Sequence, residues 1–569
     1  MTKQTTNCFY INNYWVSPAE GLLSCGDEVV RLEPKAMEVL VYFASRPNEV
    51  ITRDELERDV WHGALVGYDA ITNTIIKLRK ALNDNARKPS FIVTVPKKGY
   101  QLIAAIRYQE DDTAANSSPP VLKESLAINR RSPQYFFIRR IRNLIVPGII
   151  VIALIGLWNL LPLQSKLSAD SKNSEILPSI IVLPFENLSN DPKQEYLADG
   201  MTEDIITDLS RLSNILVISS NTSATYKGKQ VSSEKVGADL NIKFVLRGSV
   251  RRLGDKVRVN AQLVNTKTGF NTWAQRYDRQ VTEVFSVQDD VTDSIVKALT
   301  VKISNQEKRR LAQRATDSLK AYDLFQEGQR LSQVRTKESY KQARDAYKNA
   351  IEIDPAYGRA YGAMAVTLAF EYIDGWTENS TEKLERALLL AKNAVELDDS
   401  TPQTYWALSF VYLVRKEYDN AEKAVTQAIN IAPNYADGYG LLALIKMYIG
   451  QPNRAIEINN KAMKLNPYYT WNYLYTHGSA YFILGDYAKA IELYEEAQVR
   501  NQNTIQLKLF LVACYIENNR QFDAEWLVEE ILMLRPTASI SSVEKTLLFS
   551  KRKFMSRLLN NLRKAGLPE

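Results

Sequence analysis

The stretch Ala70–Ile103 reads AITNTIIKLRKALNDNARKPSFIVTVPKKGYQLI. Its first part predicts a helix over about Asp69–Leu82, because apolar side chains recur at helical spacing and mark a buried stripe of Ile71, Ile75, Leu78 and Leu82. Its second part alternates around a Pro-Lys-Lys-Gly turn, which predicts a β-hairpin over Phe91–Ile103 with two lysines at its tip. A helix is therefore followed closely by a basic hairpin.

Charge is concentrated in this region. Between Tyr68 and Arg107 there are eight Lys and Arg residues but only two acidic ones. The helix face opposite the buried stripe is polar and carries Thr72, Asn73, Thr74, Lys77, Arg79 and Lys80. A basic helix face alone is typical of a solvated surface. With a basic hairpin beside it, the face fits the DNA major groove while the hairpin lysines, Lys97 and Lys98, reach phosphates or the minor groove.

The residues before this stretch complete a small domain. Short strands are predicted within Phe9–Val16 and over Val29–Leu32, and Pro34 opens a first helix, since proline fits the first helical turn. Thr52 and Glu55 have the spacing of a capping box, which predicts the start of a second helix. The predicted helix near Asp69 is then the third.

This region resembles the OmpR/PhoB-type winged-helix domain over about residues 8–105. Leu78-Arg79-Lys80-Ala81-Leu82 matches the family's helix end, and Lys97-Lys98-Gly99-Tyr100 matches its basic turn. The resemblance implies binding to double-stranded DNA, with base contacts near Thr72, Thr74, Ile76 and Lys77 and backbone contacts near Arg79 and the hairpin. Ile76 departs from the family, whose members often have a polar or basic residue there. Either it contacts a thymine methyl or the docking register differs.

Residues 108–143 are polar and rich in Pro and Ser, which predicts a flexible linker. The next twenty residues, Leu144–Leu163 (LIVPGIIVIALIGLWNLLPL), carry no charge and predict a transmembrane helix, although a buried core helix is the alternative. Arginines cluster just before this stretch, which predicts a cytoplasmic N-terminus and a periplasmic C-terminus. The stretch begins too late in the chain for a cleaved signal peptide.

Composition limits the chemistry. The 569 residues are enough for three or four domains, and three cysteines provide no disulfide framework. Two histidines leave few ligands for a metal site. No phosphate-binding loop, GxSxG, HExxH or CxxC motif is present. We therefore expect no enzyme activity, no catalytic residue, no metal and no cofactor.

After a tether over residues 164–178, residues 179–305 predict a compact α/β domain with the order βαβαββ(β)α. The segment VLPFENLSNDPKQEYLADGMTEDIITDLSRL resembles a TolB N-terminal-like module. Asp199-Gly200 and Glu203 are open to two interpretations: a ligand site, or a turn and a helix N-cap. The second is favoured.

Residues 317–569 predict an all-α solenoid, because helix ends recur with a period of 34 residues. The pattern resembles tetratricopeptide repeats (TPR), which implies a concave groove for a protein or peptide partner. Groove-facing and core positions are both possible for five aromatic residues, Tyr405, Trp406, Tyr439, Tyr473 and Tyr475. The basic amphipathic tail from Ser542 predicts a capping helix.

The whole layout resembles the ToxR/CadC-like regulators, which have a winged helix inside the cell, one span and a sensory domain outside. The resemblance implies a one-component transcription regulator in the bacterial inner membrane, with signal transduction from a periplasmic sensor and a homodimer on DNA. A membrane-tethered TPR scaffold for periplasmic protein assembly is the alternative. A binding subunit of an enzyme is a third hypothesis, since similar outer domains accompany cyclases.

Overall fold

The structure is a computed structural model that describes residues 8–26, 28–60, 68–84, 89–95, 99–108, 177–189, 191, 194–376, 380–501 and 503–569. Its contacts divide the chain into two compact units, Met1–Asn173 and Ser174–Glu569. The predicted linker (except Tyr108), the transmembrane helix at 144–163 and most of the tether lie outside the described residues. Within the described parts, no helix combines the length and the apolar character that crossing a membrane requires.

In its described residues, the N-terminal unit contains two antiparallel sheets and three helices. Strands β1 (Phe9–Ile11), β2 (Tyr14–Ser17), β3 (Leu22–Cys25), β4 (Glu28–Arg31) and β8 (Ile106–Tyr108) form one sheet in the order β4-β3-β2-β1-β8. Strands β5 (Val50–Thr52), β6 (Ile92–Val95) and β7 (Gly99–Leu102) form the other in the order β5-β7-β6. Between them lie α1 (Pro34–Ala44), α2 (Arg53–Asp59) and α3 (Tyr68–Ala81). The winged-helix prediction is confirmed, whereas strands β3, β5 and β8 were not predicted.

Helix starts in this unit follow from the sequence. Pro34 occupies the first turn of α1, as predicted. Thr52 caps α2: its Oγ1 accepts from the Glu55 amide at 3.3 Å, and the Glu55 carboxylate accepts from the Thr52 amide at 2.8 Å. The predicted capping box is therefore present and fixes where α2 begins.

The second unit begins with a mixed sheet of β9 (Ser179–Val182), β10 (Glu186–Asn187), β11 (Leu216–Val217), β12 (Phe244–Leu253), β13 (Lys256–Asn265) and β14 (Asn271–Gln280). The strand order is β11-β9-β12-β13-β14, with β10 beside β12. β9 runs parallel to β11 and β12, while β13 runs antiparallel to both β12 and β14. The helices are α4 (Glu195–Ser210), α5 (Ser220–Ala224), α6 (Ser233–Leu240), α7 (Val284–Ala298) and α8 (Asn305–Leu311).

Helix α4 starts earlier than its sequence suggests. The sequence favoured a turn at Asp199-Gly200 and a helix N-cap at Glu203, yet α4 begins at Glu195 and contains all three residues. The predicted turn is wrong, because Gly200 lies within the helix at a point where another part of the chain packs closely against it. A Cβ on Gly200 would lie 2.0 Å from the Tyr322 hydroxyl oxygen, so glycine permits close approach of the next domain.

In the described residues, six antiparallel helix pairs form the solenoid, in agreement with the predicted repeats. The pairs are α9 (Leu319–Ser332) with α10 (Lys337–Ile353), α11 (Gly358–Ile373) with α12 (Ser380–Leu397), α13 (Pro402–Val414) with α14 (Tyr418–Ile431), α15 (Ala436–Tyr448) with α16 (Pro452–Leu465), α17 (Trp471–Leu484) with α18 (Tyr487–Arg500), and α19 (Ile505–Glu517) with α20 (Gln521–Leu534). Two short helices, α21 (Ile540–Thr546) and α22 (Arg552–Lys564), follow. The apolar face of α22 is buried against α19, which is how a capping helix protects the last repeat.

Most of the aromatic residues considered for the groove are core residues. Tyr439, Tyr473 and Tyr475 are buried within the solenoid, and Tyr405 is half-buried. Trp406 is also half-buried, stacks on Phe410 and borders a cavity. A groove role is therefore wrong for the three buried tyrosines, whose rings fill the space between helix pairs.

The α/β domain packs against the first helices of several repeats. The buried Asn434 side chain donates to the carbonyl oxygens of Leu212 and Ile215, at 2.8 and 2.9 Å. The Ser219 amide donates to the Leu465 carbonyl oxygen at 2.8 Å. These bonds join the two predicted domains into one unit.

Candidate nucleic-acid interface

Helix α3 is positioned by its apolar stripe. Ile71, Ile75 and Leu78 are at most 1% exposed and pack into the core of the N-terminal unit. The opposite face carries Lys77 and Lys80, which are exposed. Burial of apolar surface stabilises the fold by about 25 cal/mol per Å². The buried face of α3 therefore determines which of its side chains face solvent.

Lys77 is held by an exposed ion pair. Its ammonium nitrogen lies 2.7 Å from both carboxylate oxygens of Glu33, the residue before α1. The two side chains are 51% and 65% exposed. An exposed pair of this kind contributes about 0–1 kcal/mol, so a phosphate can replace Glu33 at small cost.

Arg79 has a structural position, and the prediction that it contacts the DNA backbone is corrected. Its side chain is 2% exposed. Its guanidinium donates to the Ile92 carbonyl oxygen at 2.8 Å and to Thr94 Oγ1 at 2.9 Å, and its Nε lies 3.8 Å from Asp84 Oδ2. Arg79 therefore ties the end of α3 to strand β6 instead of reaching solvent.

Thr74 also lies on the inner side of α3, with 8% of its surface exposed. A base contact from Thr74 is therefore corrected as well. The spacing along the sequence already indicated that both side chains are buried, because Thr74 follows Ile71 by three positions and Arg79 follows Ile75 by four. Both positions continue the buried stripe, although both residues are polar.

The wing is the hairpin of β6 and β7, and Gly99 lies at the start of β7, next to the hairpin turn. Gly99 has φ +151°, and a Cβ there would lie 2.0 Å from the Ile51 carbonyl oxygen. Only glycine allows β7 to approach β5 so closely. The predicted contacts Lys97 and Lys98 lie outside the described residues, as do the side chains of Thr72, Asn73 and Ile76.

Helices α1 and α2 form a rigid support. The Tyr42 hydroxyl donates to Asp59 Oδ2 at 2.6 Å. Burial, together with this carboxylate, raises the pKa of Tyr42 to about 12. Hydrogen bonds from Arg58 and Tyr42 lower the pKa of Asp59 to about 2, so the pair keeps its charge state over the physiological range.

Protein-family comparison then decides the class of this domain. The family described as "Transcriptional regulatory protein, C terminal" matches residues 26–102, which include α3 and the wing. Residues 26–102 are an OmpR/PhoB-type DNA-binding domain. The tetratricopeptide repeat family matches residues 471–495 of the solenoid.

Individual proteins and one solved structure are similar to parts of this chain. "Transcriptional activator CadC" of Escherichia coli K12 is 27% identical over 317 residues, which are 51% of this chain and 60% of that protein. "Putative adenylate cyclase 3" of Rhizobium meliloti strain 1021 is 40% identical over 247 residues, 43% of this chain and 42% of that protein. The chain thus spans about half the length of these relatives. The solved DNA-binding domain of E. coli CadC is 32% identical and is covered to 99%, against 18% of this chain, with a TM-score of 0.17.

Metal chemistry finds no support in the described part of the chain, where no three His, Cys, Asp or Glu side chains converge as a metal site requires. The candidate site remains the surface of α3 and the wing.

Proposed function

We propose that this protein is a membrane-anchored, one-component transcriptional regulator that binds promoter DNA through its OmpR/PhoB-type domain. The observation that carries the proposal is the pair of exposed lysines, Lys77 and Lys80, on a helix whose other face is buried and whose end is fastened to the wing. A rigid basic helix of this kind enters the major groove, and the wing follows the backbone.

A single copy of the domain contacts one half-site of the DNA. Two copies on adjacent half-sites bind far more tightly, because the second contact becomes intramolecular and its effective concentration reaches the millimolar range. A homodimer on DNA is therefore part of the proposal. A signal that changes self-association then changes promoter occupancy.

The remainder of the chain supplies the anchor and the sensor. Residues 144–163 are the proposed inner-membrane span, supported by their uncharged sequence and the arginines before them. The α/β domain and the solenoid then lie in the periplasm and sense a ligand or a protein partner. Their role is binding, without catalysis.

DNA recognition is tested with residues 1–108, which contain the complete core of the N-terminal unit. Selection from a random duplex pool gives the preferred sequence, and fluorescence anisotropy gives its affinity at several salt concentrations. We expect Lys77→Ala/Lys80→Ala to weaken binding at least about tenfold. Arg31→Ala on β4 removes one positive charge away from helix α3 and serves as the control. Weak binding that the double variant leaves unchanged would favour the scaffold hypothesis.

Topology is tested separately by alkaline phosphatase fusions, which are active only outside the cytoplasm. We expect activity after Ser174 and none after Glu110. The reverse pattern would contradict the proposed orientation, and activity at neither site would contradict the span.

A further inference from the structure

A cavity of about 390 Å³ lies where the α/β domain meets the solenoid. One wall is α4, with Glu203, Thr207 and Ser210. The other wall is formed by the first helices of the early repeats, with Gln403 and Trp406 on α13. The volume falls in the range of about 300–1,000 Å³ that small-molecule sites occupy, and two domains meeting at a cleft is their usual location.

The seam around the cavity is held by buried ionic contacts. Arg359 on α11 donates to Asp204 at 2.9 Å and lies 3.4 Å from Glu203, both on α4. The Tyr322 hydroxyl donates to Asp204 at 2.7 Å. These bonds hold the two walls at a fixed separation, so the cavity is preformed.

The charged groups that border the cavity balance. They are two acids, Glu203 and Asp437, and two bases, Arg335 and Arg359. The bases already cover aromatic faces: Arg359 lies 5.0 Å from the centre of the Phe325 ring, and Arg335 lies 4.5 Å from that of Phe370. A ligand with a net charge of either sign would disturb this balance, so the lining favours a neutral ligand.

Among the residues that the structure describes, two buried polar atoms at the cavity have no hydrogen-bond partner. Gln403 donates through Nε2 to Thr207 at 3.2 Å, while its buried Oε1 has no partner. The buried Arg359 Nε also lacks a partner. Burial raises the pKa values of the Glu203 and Asp437 carboxyls above their ordinary values, and the oxygens of both carboxyls can accept hydrogen bonds from a ligand. A buried polar atom without a partner destabilises the site until a ligand or water pairs with it.

Flat apolar surface lies next to these polar groups. The Trp406 ring stacks on Phe410 at 5.4 Å with an interplanar angle of 10°, and its indole N–H donates to the Asp437 carbonyl oxygen at 3.1 Å. The ring is therefore held rigidly at the cavity. Rigid ring surface beside amide, carboxyl and guanidinium groups suits a molecule that has C–H faces and several hydroxyl groups at its edge.

We propose that this cavity binds a small neutral saccharide, with its ring packed near Trp406 and its hydroxyl groups paired with Gln403, Arg359 and the carboxyls of Glu203 and Asp437. Such a ligand supplies alternating donors and acceptors without adding charge to a balanced site. It contacts both walls, so binding stabilises the seam between the α/β domain and the solenoid. The sensing role of this saccharide rests on the proposed function, whereas the binding itself does not.

Isothermal titration calorimetry and thermal unfolding of the full chain in detergent test the inference. The probes are glucose, galactose, N-acetylglucosamine, maltose and trehalose, with lysine, glutamate and putrescine as charged comparisons. We expect at least one sugar to bind at millimolar concentration or below and to raise the unfolding temperature. No binding by any sugar, or binding by charged probes alone, would overturn the proposal.

Variants locate the site. Gln403→Met keeps the side-chain length but removes the amide, and we expect about tenfold weaker sugar binding, as the loss of one buried hydrogen bond predicts. Ala363→Leu places extra carbons in the cavity and should also weaken sugar binding. This second variant tests the site without changing Gln403. Gln342→Met, on the exposed face of α10, is the matched control. Folded variants that bind the sugar as tightly as the unmodified chain would overturn the site. DNA binding is measured independently with residues 1–108, so failure here leaves the regulator proposal standing.

Discussion

Arg79 and Asp84 join the end of helix α3 to the wing. Arg79 donates to the Ile92 carbonyl oxygen at 2.8 Å, and Asp84 accepts from the Ser90, Phe91 and Ile92 amides at 2.7, 3.1 and 2.8 Å. Their own charged groups lie 3.8 Å apart. One buried pair thus sets the position of the wing relative to the helix that we expect to enter the major groove.

Replacing Arg79 should therefore damage the fold. Arg79→Met leaves Asp84 buried without its cation, and we expect a loss of about 3–5 kcal/mol in the free energy of unfolding. Urea denaturation of residues 1–108 measures this loss. Lys80→Met, at the neighbouring exposed position, should change stability by no more than about 0.5 kcal/mol. Equal effects of the two substitutions would contradict a structural role for Arg79.

Glu33 should compete with DNA for Lys77. Glu33→Gln removes the negative charge from a group 2.7 Å from the ammonium, so we expect tighter DNA binding at low salt. Lys77→Ala should weaken binding and reduce the slope of log affinity against log salt by about 0.9, the value for one phosphate contact. Anisotropy titrations across a salt series measure both quantities. An unchanged slope in Lys77→Ala would exclude Lys77 from phosphate contact.

Gly99 should tolerate no side chain. Its Cβ would meet the Ile51 carbonyl oxygen at 2.0 Å, so β7 must move away from β5 in Gly99→Ala. We expect a loss of at least about 1–3 kcal/mol, the usual range for overpacking. Gly26→Ala is a useful comparison, because Gly26 also has positive φ (+61°) but has no atom within 4 Å of the added Cβ. Thermal unfolding should show a clearly larger loss for Gly99→Ala than for Gly26→Ala.

The second unit should become less stable as pH rises from about 4 to about 7. Burial raises the pKa of Asp208 to about 7 from an ordinary value near 3.8, despite Arg211 at 3.6 Å. A carboxyl whose pKa is higher in the folded state binds its proton more tightly there. Its contribution is fully present below the unfolded pKa and is lost as pH rises through the folded pKa.

Asp208→Asn tests this dependence, since an amide does not titrate. Unfolding temperatures of the full chain at several pH values should fall less steeply for the variant. Asp293→Asn, at an exposed position on α7, is the control and should keep the original slope. A variant curve that matches the original chain would show that Asp208 titrates normally.

Local sequence signals predicted much of this fold. Pro34 and the Thr52–Glu55 capping box marked the starts of two helices, because the groups that satisfy a first turn lie within three residues of it. The wing and the solenoid repeats followed from residue spacing in the same way. Signals of this kind depend on neighbours in sequence and need no knowledge of the folded chain.

The remaining features depend on distant neighbours. Gly200 looked like a helix breaker because the reason for it, Tyr322, belongs to another domain. Thr74 and Arg79 were assigned to the DNA-facing side because they are polar, although their spacing places them inside. The Arg359 bonds to α4 and the cavity beside them arise only when the solenoid packs on the α/β domain, which no local pattern reveals.

Genome-wide crosslinking of the intact, tagged protein to DNA tests the central claim most directly, with a Lys77→Ala/Lys80→Ala variant alongside. The account predicts discrete peaks at promoters that share one sequence motif, and loss of those peaks in the variant at equal protein level. Absence of enrichment under several growth conditions, or peaks that persist in the variant, would contradict DNA binding through helix α3.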